Sequence, residues 1–167
     1  MSEKATSIPV RTLGIDPGLA NTGWGIVEIT RGGQRAIAYG HISTTADTEH
    51  ALRLRIIHER IIEVIHRYNP TEMALEAVFF STNAKSALSI GEVRGVAMLA
   101  AAESGMTVEE YSATQIKQTV VGEGRAGKAQ VQFMVKALLG LDHEPQPDHS
   151  ADALAAALCH ARMRRIG

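Results

Sequence analysis

Three segments far apart in the chain each place an acidic residue where apolar packing should make it costly. Asp16 closes the run Leu13-Gly14-Ile15-Asp16 and is followed by Pro17-Gly18. Glu76 closes Met73-Ala74-Leu75-Glu76. Asp152 sits in Asp148-His149-Ser150-Ala151-Asp152, just ahead of an Ala- and Leu-rich stretch. A charged carboxylate in an apolar element costs several kcal/mol unless a cation, a basic partner or an open sheet edge relieves it. Brought together, such carboxylates repel one another unless a cation lies between them. His149 and Asp152 are three apart and share a helical face. One imidazole and three carboxylates, rich in oxygen and poor in sulfur, suit hard divalent ions such as Mg2+ or Mn2+. Two such ions ~3.5–4 Å apart can clamp the attacking and leaving oxygens of a phosphodiester.

Each residue also has a simpler account. Asp16 before Pro-Gly can start a turn, Glu76 can pair with Arg94 or Lys85, and Asp148 can cap a helix. The conjunction of Asp16, Glu76 and Asp152 favours the functional reading. His41, His50, His58, His66, His143 and His160 lack acidic company and read as surface or packing residues.

The pattern around these residues predicts the elements that position them. Val10–Asp16, Thr22–Thr30 and Arg35–Thr44 read as three antiparallel strands, with Arg31-Gly32-Gly33-Gln34 as a hairpin turn. Thr48–Tyr68 has apolar residues at three- and four-residue steps, so it is an amphipathic helix capped by Asp47 or Thr48 and stopped before Pro70. Thr71–Ala77 and Thr107–Tyr111 read as strands, the first of them buried and parallel. Helices are expected over Ala84–Ser104, Ser112–Val120, Lys128–Leu139 and His149–Arg165. The expected fold is α/β: a mixed five-stranded sheet, three antiparallel strands and then parallel ones, with helices packed on it.

Composition narrows the function classes. The 167 residues fit one domain spanning 1–167, with 1–9 as a disordered lead. Hydrophobic residues make up 45%, charged residues 21%, and the net charge is −1, an ordinary globular balance. One cysteine, Cys159, excludes a disulfide framework and a cysteine-rich zinc module, which suits a cytoplasmic, reducing setting. No run approaches the ~18 apolar residues of a membrane span, and Met1–Pro9 has no signal-peptide core. The near-zero charge argues mildly against nucleic acid. Residues 111–140 nevertheless carry Lys117, Arg125, Lys128 and Lys136 against Glu123 alone, a local +3, and phosphate contacts need only such a patch.

Four motifs occur in order: Gly14-Ile-Asp-Pro-Gly18, Ala74-Leu-Glu-Ala-Val-Phe79, Gln115-Ile-Lys-Gln-Thr-Val-Val-Gly122 and His149-Ser-Ala-Asp-Ala-Leu154. Together they resemble the RuvC family of Holliday junction resolvases over roughly residues 10–165. The resemblance implies a ribonuclease-H-like fold, a homodimer, and Mg2+- or Mn2+-dependent nicking of two like strands in a four-way DNA junction, leaving 5′-phosphate and 3′-hydroxyl ends. It also implies work alongside the RuvA–RuvB branch-migration complex. By motif, Asp16, Glu76, His149 and Asp152 are the catalytic and metal-binding set, His149 standing where the family usually has aspartate. Lys117 and Lys128 match lysines near the scissile strand, and Phe79 an aromatic that stacks on a base at the junction. Arg125 is expected on DNA, Phe80 in the core, and Arg162, Arg164 and Arg165 as solvated surface charges. Gly91 and Gly95 narrow the 84–104 helix, either for a dimer contact or for packing on its own sheet. Two rivals are an actin/sugar-kinase-type ATP-binding domain, which shares the Ile-Asp-x-Gly opening, and a non-catalytic junction-binding protein.

Overall fold

The structure, a computed structural model, describes residues 8–78 and 83–164. Three antiparallel strands open it: β1 (Val10–Asp16), β2 (Asn21–Thr30) and β3 (Gly33–Ser43). There follow α1 (His50–Tyr68), β4 (Glu72–Glu76), α2 (Ala84–Glu103), β5 (Thr107–Tyr111), α3 (Ala113–Val121), α4 (Lys128–Leu139) and α5 (Asp148–Arg164). The sheet order is β3-β2-β1-β4-β5, with β4 parallel to both β1 and β5. This is the expected mixed sheet.

Two helix starts differ from expectation. Helix α1 begins at His50 behind Glu49, which makes no side-chain cap bond, so neither Asp47 nor Thr48 caps it. Asp148 is the first residue inside α5 rather than its cap, and its carboxylate is taken by groups on α4. By contrast, α2 is capped by Asn83, and α3 by a reciprocal Ser112–Gln115 capping box.

The two faces of the sheet carry different cores. Leu13, Ile15, Ile26, Met73 and Leu75 pack with Ile57 and Ile61 of α1 and Val93 and Ala97 of α2. Each of these Leu, Ile, Val and Met side chains, fully withdrawn from water, contributes about 1.5–3 kcal/mol. The other face is covered by α5, against which α3 and α4 pack. Helix α5 is buried from Ser150 to Ala161 except at the part-exposed Asp152, as a helix enclosed by sheet and helices must be.

The approach of α5 to the sheet depends on two glycines. A Cβ on Gly14 would run into the carbonyl of Ala153, and one on Gly23 into the carbonyl of His149. Gly23 pairs with Asp16 across β1 and β2. Glycine there lets the first turn of α5 rest on the strand backbone, directly over the end of β1. The arginines of the last turn act as ties rather than loose surface charges. Arg162 donates to the carbonyl of Thr119, and Arg164 to Glu72. Arg165, like Phe79 and Phe80, lies outside the described residues.

Candidate active site

The register of the sheet decides where the acids meet. Ile15 of β1 pairs with Leu75 of β4 in parallel, so Asp16 and Glu76 end adjacent strands on the face covered by α5. The first turn of α5 brings the remaining groups. The Nδ1 of His149 lies 3.0 Å from Oδ2 of Asp16. With Asp16 ionised, Nδ1–H donates and Nε2 keeps a free lone pair, an arrangement that orients a metal-ligating histidine. Donor atoms of Asp16, His149 and Asp152 lie within 4.8 Å of one another. Glu76 lies outside that tight group. It lines a cleft of about 220 Å3 together with Asp152, Lys117 and Lys128, floored by Ile116, Val131 and Ala155. A larger cavity, about 370 Å3, lies beneath α1 around Trp24 and Tyr68 and contains none of these groups.

The electrostatics record the cost of this convergence. Burial, then the charge of Asp152, raises the Asp16 carboxyl from 3.8 to about 6, against a smaller downward pull from His149. Burial, then Asp16 and Asp152, raises Glu76 from 4.5 to about 7. Burial also raises Asp152, while Lys128 and His149 pull it down. These carboxylates share a pocket too short of positive charge to hold them all ionised, which is the environment a divalent cation relieves. Oxygen and imidazole donors, part-buried and mutually close, fit a hard divalent ion.

Lys128 is the nearest cation to the cluster. Its Nζ lies 3.3 Å from Asp148 and 3.8 Å from Asp152. Burial lowers its affinity for a proton, but Asp152 and Asp148 outweigh burial and hold its pKa above the ordinary value. Lys117 faces Glu76 across the cleft. The simpler account of Glu76 fails, because Arg94 pairs with Glu110 of β5 and Glu76 has no hydrogen bond or ion pair among the described residues. Arg125 is exposed between α3 and α4, away from the cleft lining. Local pattern marks Asp148 only as a helix cap and does not single out Gln132, which donates to Asp148 at 2.9 Å. The four-residue step from Lys128 to Gln132, one face of a helix, was the available signal.

The family described as Crossover junction endodeoxyribonuclease RuvC matches residues 12–160. The chain belongs to the RuvC family. Curated RuvC relatives include that of Moorella thermoacetica, 52% identical over 149 residues and 89% of each chain. The RuvC of Caldanaerobacter subterraneus is 49% identical, covering 94% of this chain and 95% of its own. Among solved structures, Thermus thermophilus RuvC is similar at 37% identity, with a TM-score of 0.88 over 95% of this chain and 97% of that one. The same RuvC in complex with Holliday junction substrate gives a TM-score of 0.90 at 37% identity, covering 95% and 96%. The ribonuclease-H-like architecture expected from the motifs is therefore the RuvC fold.

Proposed function

We propose that this RuvC-family chain is the endonuclease that resolves four-way DNA junctions in recombination and repair, by paired metal-dependent nicks that leave ligatable ends. The observation that carries the reading is the clustering of Asp16, His149 and Asp152, from one strand end and one helix start, next to a cleft that Asp152 shares with Glu76 and two lysines. A similar chain, Thermus thermophilus RuvC, has been solved with a Holliday junction substrate.

Asp16, His149, Asp152 and Glu76 would hold a pair of Mg2+ or Mn2+ ions. When bound, such ions supply Lewis-acid polarisation of the phosphate and lower the pKa of the attacking water. The remaining work belongs to the chain. Asp16 fixes the imidazole of His149 through its Nδ1–H, so the ring cannot turn out of the site. The aliphatic floor of the cleft limits water around the reacting phosphate. Lys117 and Lys128 offset the negative charge that builds on the phosphoryl oxygens. Arg125, exposed beside them, contacts flanking phosphates, and Phe79, outside the described residues, stacks at the junction.

Two cuts on opposing strands need two sites, and α2 offers the face for a second copy. Leu88 and Leu99 are 65% and 55% exposed. A Cβ on Gly91 or Gly95 between them would meet only open space. These glycines therefore do not serve packing on their own sheet, which supports the dimer alternative. Work with RuvA–RuvB belongs to the same proposal. No helix among the described residues is long and apolar enough to cross a membrane, in keeping with a cytoplasmic place of action. Neither an ATP-binding domain nor a non-catalytic junction binder is favoured, since the chain is of the RuvC family and carries Asp16, Glu76 and Asp152.

The test is one gel. A labelled four-way junction, a duplex and a single strand are incubated with and without Mg2+ or Mn2+, and the nicks are mapped. Symmetrically paired, cation-dependent nicks in the junction alone are expected. Asp16→Asn nicking at the wild-type rate in Mg2+ would overturn the assignment.

A further inference from the structure

We propose that Asp148, itself held by Gln132, is a positioning residue for Lys128, keeping that ammonium poised beside the acid cluster instead of collapsed onto Asp152. The proposal rests on the nuclease reading above and adds to it a residue outside the catalytic set.

The geometry is specific. Lys128 and Gln132 are one turn apart on α4, so they present side chains in the same direction. Both reach the first residue of α5. Gln132 donates its amide N–H to Oδ1 of Asp148 at 2.9 Å, and Lys128 lies 3.3 Å from Oδ2. The two carboxylate oxygens thus go to two different groups of one helix, which fixes the plane of the carboxylate and with it the place of the ammonium. The competing anion is Asp152, at 3.8 Å. Asp152 belongs to the candidate metal group. A lysine seated fully on Asp152 would neutralise a ligand that a divalent cation needs and would leave the phosphate without its cation. Asp148 is an anion that shares the lysine without belonging to the metal group. Half of its side chain is exposed, so holding a charge there costs little.

The alternative is that Asp148 merely adds an acid to the first turn of α5, where it favours the helix dipole. That role is indifferent to Lys128, so a double-mutant cycle separates the two. Wild type, Asp148→Asn, Lys128→Met and the double variant are compared in two assays. The first is single-turnover cleavage of a four-way junction at saturating DNA, and the second is Mn2+ binding by calorimetry without DNA. Asp148→Asn should slow cleavage on the order of tenfold, as misplacing a charged group beside the reacting atoms does, with half-saturation by junction little changed. It should also weaken Mn2+ binding, because Lys128 then competes at Asp152. In the Lys128→Met background the same substitution should change either quantity less than about twofold, within the additivity of uncoupled sites. Asp148→Glu should recover most of the rate. Equal losses in both backgrounds, or no loss from Asp148→Asn alone, would overturn the proposal. Should the wild-type protein leave junctions intact, the nuclease reading falls, while the Mn2+ cycle still decides whether Asp148 acts through Lys128.

Discussion

Replacing Asp16 with asparagine is expected to stabilise the metal-free protein while abolishing its response to divalent cations. The Asp16 carboxyl is raised from 3.8 to about 6 by burial and by Asp152. At ~1.36 kcal/mol per pH unit, holding it ionised costs the folded state roughly 3 kcal/mol. Because the folded value is the higher one, the folded protein binds the extra proton between about pH 4 and pH 6. The cost is therefore complete above about pH 6 and fades as pH falls toward 4. Asparagine keeps an oxygen to accept from His149 but carries no charge. Allowing for burial of its own amide, a net gain of roughly 1–3 kcal/mol remains at pH 8. For a chain of this size that raises Tm by about 2–4 °C per kcal/mol. The assay is thermal melting at pH 8 and pH 4, in EDTA and in excess Mn2+. In EDTA at pH 8 the variant should melt higher, and at pH 4 the difference should nearly close. In Mn2+ the wild-type protein should gain by mass action while the variant stays where it was. A variant that melts below wild type in EDTA at pH 8, or keeps its advantage undiminished at pH 4, would refute the account of Asp16 as a carboxylate held at a cost for the cation.

Three further outcomes follow from the same geometry. Nicking in Mg2+ should rise with pH through the range set by Asp16 near 6 and Glu76 near 7, because ligation needs both ionised, and more Mg2+ should move the midpoint to lower pH. Single-turnover rates from about pH 5.5 to about pH 9 at two Mg2+ concentrations check this, and a rate that falls or stays flat would contradict it. Gly14→Ala should lose stability at or beyond the upper end of the ~1–3 kcal/mol usual for overpacking, since the added methyl meets the carbonyl of Ala153 and backbone cannot yield. Urea denaturation reads the loss. Gly95→Arg adds its side chain in open space, so melting of the monomer should hardly change, whereas light scattering should show the dimer lost.

Much of this molecule is written in local pattern. Strands β1, β4 and β5 and helices α1, α2 and α4 fall within a residue or two of where apolar periodicity and turn residues put them, because those signals concern one element at a time. The candidate acids are legible for a related reason: charge at the edge of an apolar run is costly, and the conjunction of Asp16, Glu76 and Asp152, each with a simpler account taken singly, marks a site. What no local pattern contains is the distance between segments. That β1 and β4 are neighbours in parallel register, and that Gly14 and Gly23 let α5 settle on the sheet until His149 touches Asp16, was decided by tertiary packing alone. The same holds for Asp148. A carboxylate at a helix start reads as a cap until α4 is laid beside it, and only then do Gln132 and Lys128 claim its two oxygens. Side-chain partners belong to the packed chain, since hydrogen bonds and ion pairs act over a few ångströms in space, whatever the separation in sequence.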